Sequence, residues 1–394
     1  MIDPAQAEAF LMRFLAVEGI TGQEQAIGAE VRQALIEIGV PSSAIRFDQA
    51  HTRIPLPTQT GNLIVQLPGT RPGPRRLFST HLDTVPLCAG ARPIKKGKRI
   101  VPAGKTALGG DNRTGVGCLV TLAATLRQQR LPHPPLTLLF TVREESGLWG
   151  ARQVDPNDLG KPAEGYNVDG GAAARLTIGA VGADRWDVEI VGRAAHAGVH
   201  PEQGISATAV AALGLADIVR RGWFGKVSQN GQEGTSNVGY FGGQDGHSAG
   251  VATNVVTDYA QLRGESRSHD ARFIRAITSA YRQAFQAAAQ QVRDHRGKTA
   301  KVTFRAERSY EPFRLKDKSP LVQRAVRAAE HAGLKPVLEI SNGGLDANWL
   351  VKHGIPAVTF GAGQHEIHTV DEYVELAEYF DGCRLAVALA TATD

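Results

Sequence analysis

Cysteine is almost absent from this chain: three residues in 394, at positions 88, 118 and 383, with no CxxC spacing. An odd, widely separated set excludes a disulfide framework and a thiolate zinc site, and it makes a reducing cytosol the expected compartment. Long apolar runs are also missing. None approaches the roughly 20 residues that cross a bilayer, so no membrane partner is expected. The opening stretch, MIDPAQAEAFLMRFLAVEGI, mixes acids with apolar residues at helical spacing. It reads as an amphipathic helix, without the basic start, apolar centre and cleavage site of a secretory signal. Nor is there a strong charge of one sign: 44 Lys and Arg stand against 39 Asp and Glu. The basic residues are scattered, with one modest cluster at Lys95, Lys96, Lys98 and Arg99, and no recognition module accompanies them. No nucleic acid is therefore expected as a partner. Repeats and low-complexity tracts are absent too.

What is abundant is glycine. Forty-four residues exceed the usual share of about 7%, which implies many tight turns and close backbone approaches. The length exceeds one ordinary core and implies two domains. Residues 25–38 have helical periodicity, GNLIVQLPG is a short strand, and RRLFSTHLDTVP is a buried strand running into a loop. GVGCLVTLAATLRQQR follows as a helix, and LTLLFTVREESG as an apolar strand ending in acids. This strand–helix alternation predicts an α/β fold with a doubly wound, mainly parallel sheet. Ligands bind such sheets beyond the carboxyl ends of the strands.

Near residue 183 the rhythm changes. DRWDVEIVGR, ISATAVAALGLADIVRR, TSNVGYFGG, VVTDYAQLRGE, RFIRAITSAYRQAFQAAAQQVRDH and KVTFRAER give the order β-α-β-β-α-β, a ferredoxin-like α+β pattern. From about 311 the earlier style returns, with a helix, the loop SNGGLDAN, the strand PAVTFGAG and a final helix. The expected organisation is one domain, residues 1–182 and 309–394, interrupted by a smaller one at 183–308.

Five segments place acids or imidazoles at strand ends or in loops: His81 and Asp83 in STHLDTVP, Asp111 in GGDNRTGVG, Glu144 and Glu145 in TVREESG, Asp169 in YNVDGG, and His368 in QHEIHTVDE. Each alone has a bland explanation, such as a core histidine, a helix cap or a turn residue. Together they put several carboxylates at the buried ends of apolar strands without matching cations. Such acids repel one another unless a cation neutralises them. Mixed imidazole and carboxylate donors suit zinc, cobalt or manganese. HEIH lacks the i, i+4 spacing of a helical HExxH site, and GYFGGQDGH fits neither common phosphate-binding glycine loop.

The run HLDTVP, GGDNRTGVG, REESG, NVDGG, HAGVHPEQGISA and EIHT, in this order and spanning nearly the whole chain, resembles the dinuclear zinc peptidase family of aminoacylase, carboxypeptidase G and peptidase T. It is closest to the peptidase T-like branch. The resemblance implies two divalent metal ions, zinc in the first instance with cobalt or manganese as alternatives. It implies that Asp111 bridges them, with His81 and Asp169 completing one site and Glu145 and His368 the other. Asp83 would orient His81, and Glu144 would be the general base. His196, in GRAAHAGVHPEQG, would stabilise the oxyanion from an inserted lid and dimerisation domain, within or between the subunits of a homodimer. Asn254, Arg267 and Gly343 fall where relatives contact substrate.

The implied substrate is a small peptide or an N-acyl amino acid. Members of the peptidase T branch carry an arginine before Gly-Gly-Thr-Asp, where this chain has Asn342 and then Leu345 for the threonine. An asparagine cannot form the bidentate guanidinium contact to a carboxylate. The loop VHPEQG departs as well, so peptidase and deacylase both stay open. A noncatalytic binding protein predicts loss of the base or ligands, yet all are present. Self-compartmentalising metal aminopeptidases, which share the ligand set, carry a β-barrel insertion instead of β-α-β-β-α-β.

Overall fold

The computed structural model describes residues 1–393, apart from the side chain of residue 245. It divides into two compact units, one joining Met1–Ala180 to the segment from Arg314 onward, the other Val181–Phe313.

The first unit is built on a nine-stranded sheet. Its centre runs Leu136–Thr141, Arg76–His81, Glu164–Val168, Ala357–Phe360, all paired in parallel. Every residue of these four strands is buried. Strands covered on both faces read as continuous apolar runs, as LTLLFT and AVTF do here. Leu63–Leu67 adds to Leu136–Thr141 antiparallel. The helix Gly110–Gln128 packs on Arg76–His81 and against the helices Pro4–Leu15 and Leu376–Thr391. Gly115 permits that approach, since a Cβ there would lie 2.1 Å from Thr80 Oγ1 and 2.7 Å from the Val168 carbonyl oxygen.

A small four-stranded sheet pairs Gln364–His365 with Tyr373–Glu375, then with the hairpin Arg99–Pro102 and Pro93–Lys96. The basic cluster sits on this hairpin and is partly spent inside the fold. Lys95 pairs with Glu8 at 2.6 Å, and Arg99 pairs with Glu375 at 3.1 Å and covers the Tyr373 ring.

The second unit is a five-stranded antiparallel sheet, in the order Gly225–Gln229, Gln232–Gly242, Tyr259–Ser268, Gly182–Val191, Lys301–Tyr310. The helices Ala207–Arg220 and Ala271–Gln291 pack together and onto the sheet. Phe273, Ile277, Tyr281, Ala284 and Ala288 recur at helical spacing and are buried, which gives Ala271–Gln291 its apolar face. Trp186 lies against Tyr281 with ring centroids 4.5 Å apart.

Three details differ from the sequence expectations. Gly225–Gln229 is a strand that the β-α-β-β-α-β reading omits. It forms a hairpin with Gln232–Gly242 through Asn230 and Gly231, both at positive φ (51° and 75°). Asn-Gly is the residue pair that such a two-residue turn favours, so the signal was present in SQNGQE. The strand expected from VVTD begins only at Tyr259. SNGGLDAN, read as a loop, runs directly into a helix at Asp346–Lys352.

Candidate metal centre

The carboxyl ends of the parallel strands bring His81, Asp83, Asp111, Glu144, Glu145, Asp169 and His368 together within the first unit. His81 ends its strand and is buried. Its Nε2 lies 3.0 Å from Asp111 Oδ1, and its Nδ1 lies 3.0 Å from the Asp83 carbonyl oxygen and 3.4 Å from Asp83 Oδ1. The other oxygen of Asp111 lies 3.2 Å from His368 Nε2, and Glu145 Oε1 lies 2.9 Å from the same nitrogen. One carboxylate thus faces two imidazoles on different segments. Ligand atoms of His81, Asp111 and Glu145 fall within 4.8 Å of one another. Asp169 Oδ1 accepts from Gln364 Nε2 at 3.4 Å, and Gln364 Oε1 in turn accepts from Thr114 Oγ1 at 3.0 Å.

Asp111 begins the helix Gly110–Gln128 with an extended backbone and is joined to Asn112 by a cis peptide bond. Its loop is fastened by Glu372, a buried carboxylate that accepts from the Leu108, Gly109 and Asp111 amides at 2.7, 2.8 and 3.0 Å. Asp83 accepts from the Glu144 amide at 2.9 Å and the Glu145 amide at 3.2 Å, so it holds the glutamate loop as well as facing His81.

Charge in the pocket is unbalanced. Burial, then the charge of Asp111, pushes Asp169 up to about 8. Burial also pushes Glu145 up to about 7, against the pull of His368. Glu144 stands well above the usual carboxylate range through burial and the charges of Asp169, Asp346 and Glu145. Contacts with Asp111 and Glu145 raise His368 to about 10. His81 is raised too, because its bonds to Asp111 and Asp83 outweigh its burial. Acids whose affinity for protons is raised by burial and by one another mark a pocket short of positive charge. Two imidazoles with several carboxylates are donors that divalent metal ions accept, and such ions fit this site.

The structure also brings in residues that motif spacing did not single out. Asp346 is buried, with Thr141 Oγ1 donating to its Oδ2, while Oδ1 has no hydrogen-bond partner among the described residues. Burial, and secondarily the charge of Asp83, raises it to about 6. Glu24 and Glu372 were missed because their role is to accept backbone N–H groups from distant segments. His365 turns to Glu378 at 2.5 Å and stacks on Tyr373.

His196, Asn254 and Arg267 lie in the second unit. His196 is exposed, and its Nδ1 accepts from the Gly198 and Val199 amides at 3.2 and 3.1 Å. Its Nε2 is therefore the nitrogen that carries the proton in the neutral ring. Asn254 is exposed, and its carbonyl accepts from the Ala197 amide at 2.8 Å. Arg267 is paired with Glu265 of the same strand through two contacts of 2.8 and 2.9 Å, from its Nε and Nη2. Gly343, in the first unit, is not packed tightly: a Cβ there would meet only Ser341 Oγ, at 3.5 Å.

Residues 77–392 match peptidase family M20/M25/M40, and the chain belongs to that family of peptide-bond hydrolases. It is 31% identical to the protein YqjE of Bacillus subtilis (strain 168) over 330 residues, 84% of each chain. Among solved structures it is similar to aminopeptidase PepT from Bacillus cereus ATCC 10987, with 31% identity, a TM-score of 0.84, and 99% and 98% of the two chains covered. A tripeptidase from Staphylococcus aureus subsp. aureus Mu50 gives 27% identity and a TM-score of 0.88 over the same shares. The resemblance within the family is thus to its peptidase T-like members. No helix among the described residues is long and apolar enough to cross a membrane.

Proposed function

We propose that the protein removes residues from small peptides with a free amino terminus, as an aminopeptidase or tripeptidase, using two divalent ions, zinc in the first instance. The observation that carries this reading is Asp111, whose two oxygens each face a different imidazole, His81 at 3.0 Å and His368 at 3.2 Å. His81, Asp111 and Asp169 would hold one ion, and Asp111, Glu145 and His368 the other. When bound, the ions polarise the scissile carbonyl and make the attacking water more acidic.

The remaining chemistry belongs to the chain. Glu144 takes the proton of the attacking water and returns it to the leaving amine, a task suited to a carboxyl whose affinity for protons is raised. Asp83 keeps Glu144 and Glu145 apart in role by fixing both amides, so that one side chain serves as ligand and the other as base. His196, with its proton on Nε2, donates to the developing oxyanion. We assign it to a homodimer formed through the unit Val181–Phe313, whose helix Ala207–Arg220 leaves Leu213 and Val219 exposed beside exposed Phe224. Three buried, unpaired cysteines support a cytoplasmic setting.

The test is hydrolysis of tripeptides, dipeptides and N-acetylated tripeptides by the metal-loaded protein. Free-amine tripeptides are expected to be cleaved. Glu144→Ala is expected to lose activity by about 10²–10⁴-fold with both metals retained. Retained activity in that variant would sink the base assignment. Asn342 and Leu345 favour a second reading, hydrolysis of N-acyl amino acids, which preference for the acetylated substrates would establish.

A further inference from the structure

One buried carboxylate near the centre has no part in the proposed reaction. Glu24 lies in the turn before the helix Gln25–Glu37 and is 0% exposed. Its Oε1 accepts from the Gly22 amide at 2.7 Å and the Arg143 amide at 3.1 Å, while Oε2 has no hydrogen-bond partner among the described residues.

The amide it takes belongs to the residue just before the proposed base. The strand Leu136–Thr141 ends there, and Arg143 adopts a left-handed φ of 52° that takes it out of the sheet ladder. From this point the backbone amides end on side chains, while the Val142, Arg143 and Glu144 carbonyl oxygens accept from the Gly150, Trp149, Gly147 and Leu148 amides. Val142 N donates to Asn62 Oδ1 at 3.1 Å, Arg143 N to Glu24, Glu144 N to Asp83 Oδ1 and Glu145 N to Asp83 Oδ2. Four consecutive amides end on three side chains from three separate segments. Buried amides without partners are rare, so these four N–H groups need acceptors from outside the run.

The turn carrying Glu24 is itself anchored. Thr21 N donates to the Thr84 carbonyl oxygen at 2.9 Å, Thr84 N returns to Gly19 at 3.1 Å, and Thr21 Oγ1 donates to Ser146 Oγ at 2.9 Å. Arg143 closes the same turn through Pro57 and Thr58. Glycine suits position 22, where φ is 87° and a Cβ would lie 2.8 Å from the Pro57 carbonyl oxygen.

We propose that Glu24 is a positioning residue: through the Arg143 amide, its Oε1 sets the direction in which the neighbouring Glu144 carboxylate is presented. The inference rests on the proposed peptidase reading for its catalytic consequence. One oxygen carries both hydrogen bonds, so an acceptor is needed at this position and a negative charge is not.

Glu24→Ala and Glu24→Gln in the full, metal-loaded chain test this. In Glu24→Ala, kcat for the cleaved tripeptide is expected to fall about 10–100-fold, the loss that a shift of roughly 1 Å produces, with KM within about twofold and both metals bound. Amide hydrogen exchange across 142–148, read by mass spectrometry, is expected to accelerate about tenfold or more while exchange in 136–140 stays unchanged. Glu24→Gln restores both quantities, because its carboxamide oxygen replaces Oε1. Unchanged exchange or unchanged kcat in the alanine variant overturns the proposal, and so does a glutamine variant as impaired as alanine. A wild type inactive on every substrate would refute the proposed function instead, and the exchange experiment would still decide whether Glu24 holds the loop.

Discussion

At the scale of single residues, the pocket is organised by carboxylates with two kinds of work. Asp111, Glu145 and Asp169 face the imidazoles or one another, while Asp83, Glu24 and Glu372 accept backbone amides. The first kind is legible in sequence because acids at the ends of apolar strands are unusual. The second kind looks like any other acid until a distant amide is brought to it, and Glu24 in ITGQEQ carries no spacing that marks it.

A pH experiment isolates Glu24. Burial, with the charge of Asp83 behind it, raises its carboxyl from the ordinary 4.5 to about 7; Arg113 is a cation that feels its charge. The folded chain therefore binds this proton more tightly than the unfolded chain. The resulting stability is fully present below about 4.5 and is lost as pH rises through about 7. Denaturant unfolding of metal-free wild type and Glu24→Gln between pH 5 and pH 8 is expected to show wild type losing on the order of 2 kcal/mol relative to the variant. Parallel curves would show that Glu24 titrates normally.

Among the elements, the decisive ones are the connections after the strands. The segment Gln364–Glu375 carries His368 and, four residues later, Glu372, which fastens the Asp111 loop by three amides. One short segment thus supplies a proposed ligand and fixes the backbone of the carboxylate that faces the two imidazoles. Glu372→Ala is expected to weaken metal binding about 10–100-fold, measured by competition with a chromogenic chelator, because groups that orient ligands have effects of that size. Unchanged affinity would mean that the loop keeps its shape without those bonds. Elements were less legible where tertiary context set them. The helix Asp346–Lys352 follows a glycine-rich stretch that reads as coil, and its first residue is fixed by Thr141 of a strand far away in sequence. The hairpin at Asn230 and Gly231, by contrast, was legible from its turn residues and was passed over.

For the whole molecule, the two units have separate cores, and the proposed metal donors all lie in the unit formed by Met1–Ala180 and the segment from Arg314 onward. His196 belongs to the other unit, and the homodimer proposed through that unit is open to direct measurement. Light scattering of the purified protein is expected to give about twice the 42.0 kDa chain mass. A monomer with full activity would rule out a shared active site.

The sequence by itself determined the class of fold, the family and the residue types of the candidate metal centre. The fold class follows from apolar strands that must be covered on both faces, and the family from the resemblance that the motif run carries. Only the tertiary structure decided which oxygen faces which imidazole, that Arg267 is already paired with Glu265, and which carboxylates serve the backbone. Those facts depend on separations in space between residues from 2 positions apart, as in Arg267 with Glu265, to 261, as in Glu372 with Asp111. A hydrogen bond is a matter of tenths of an ångström, and residue order does not encode separation in space at that scale.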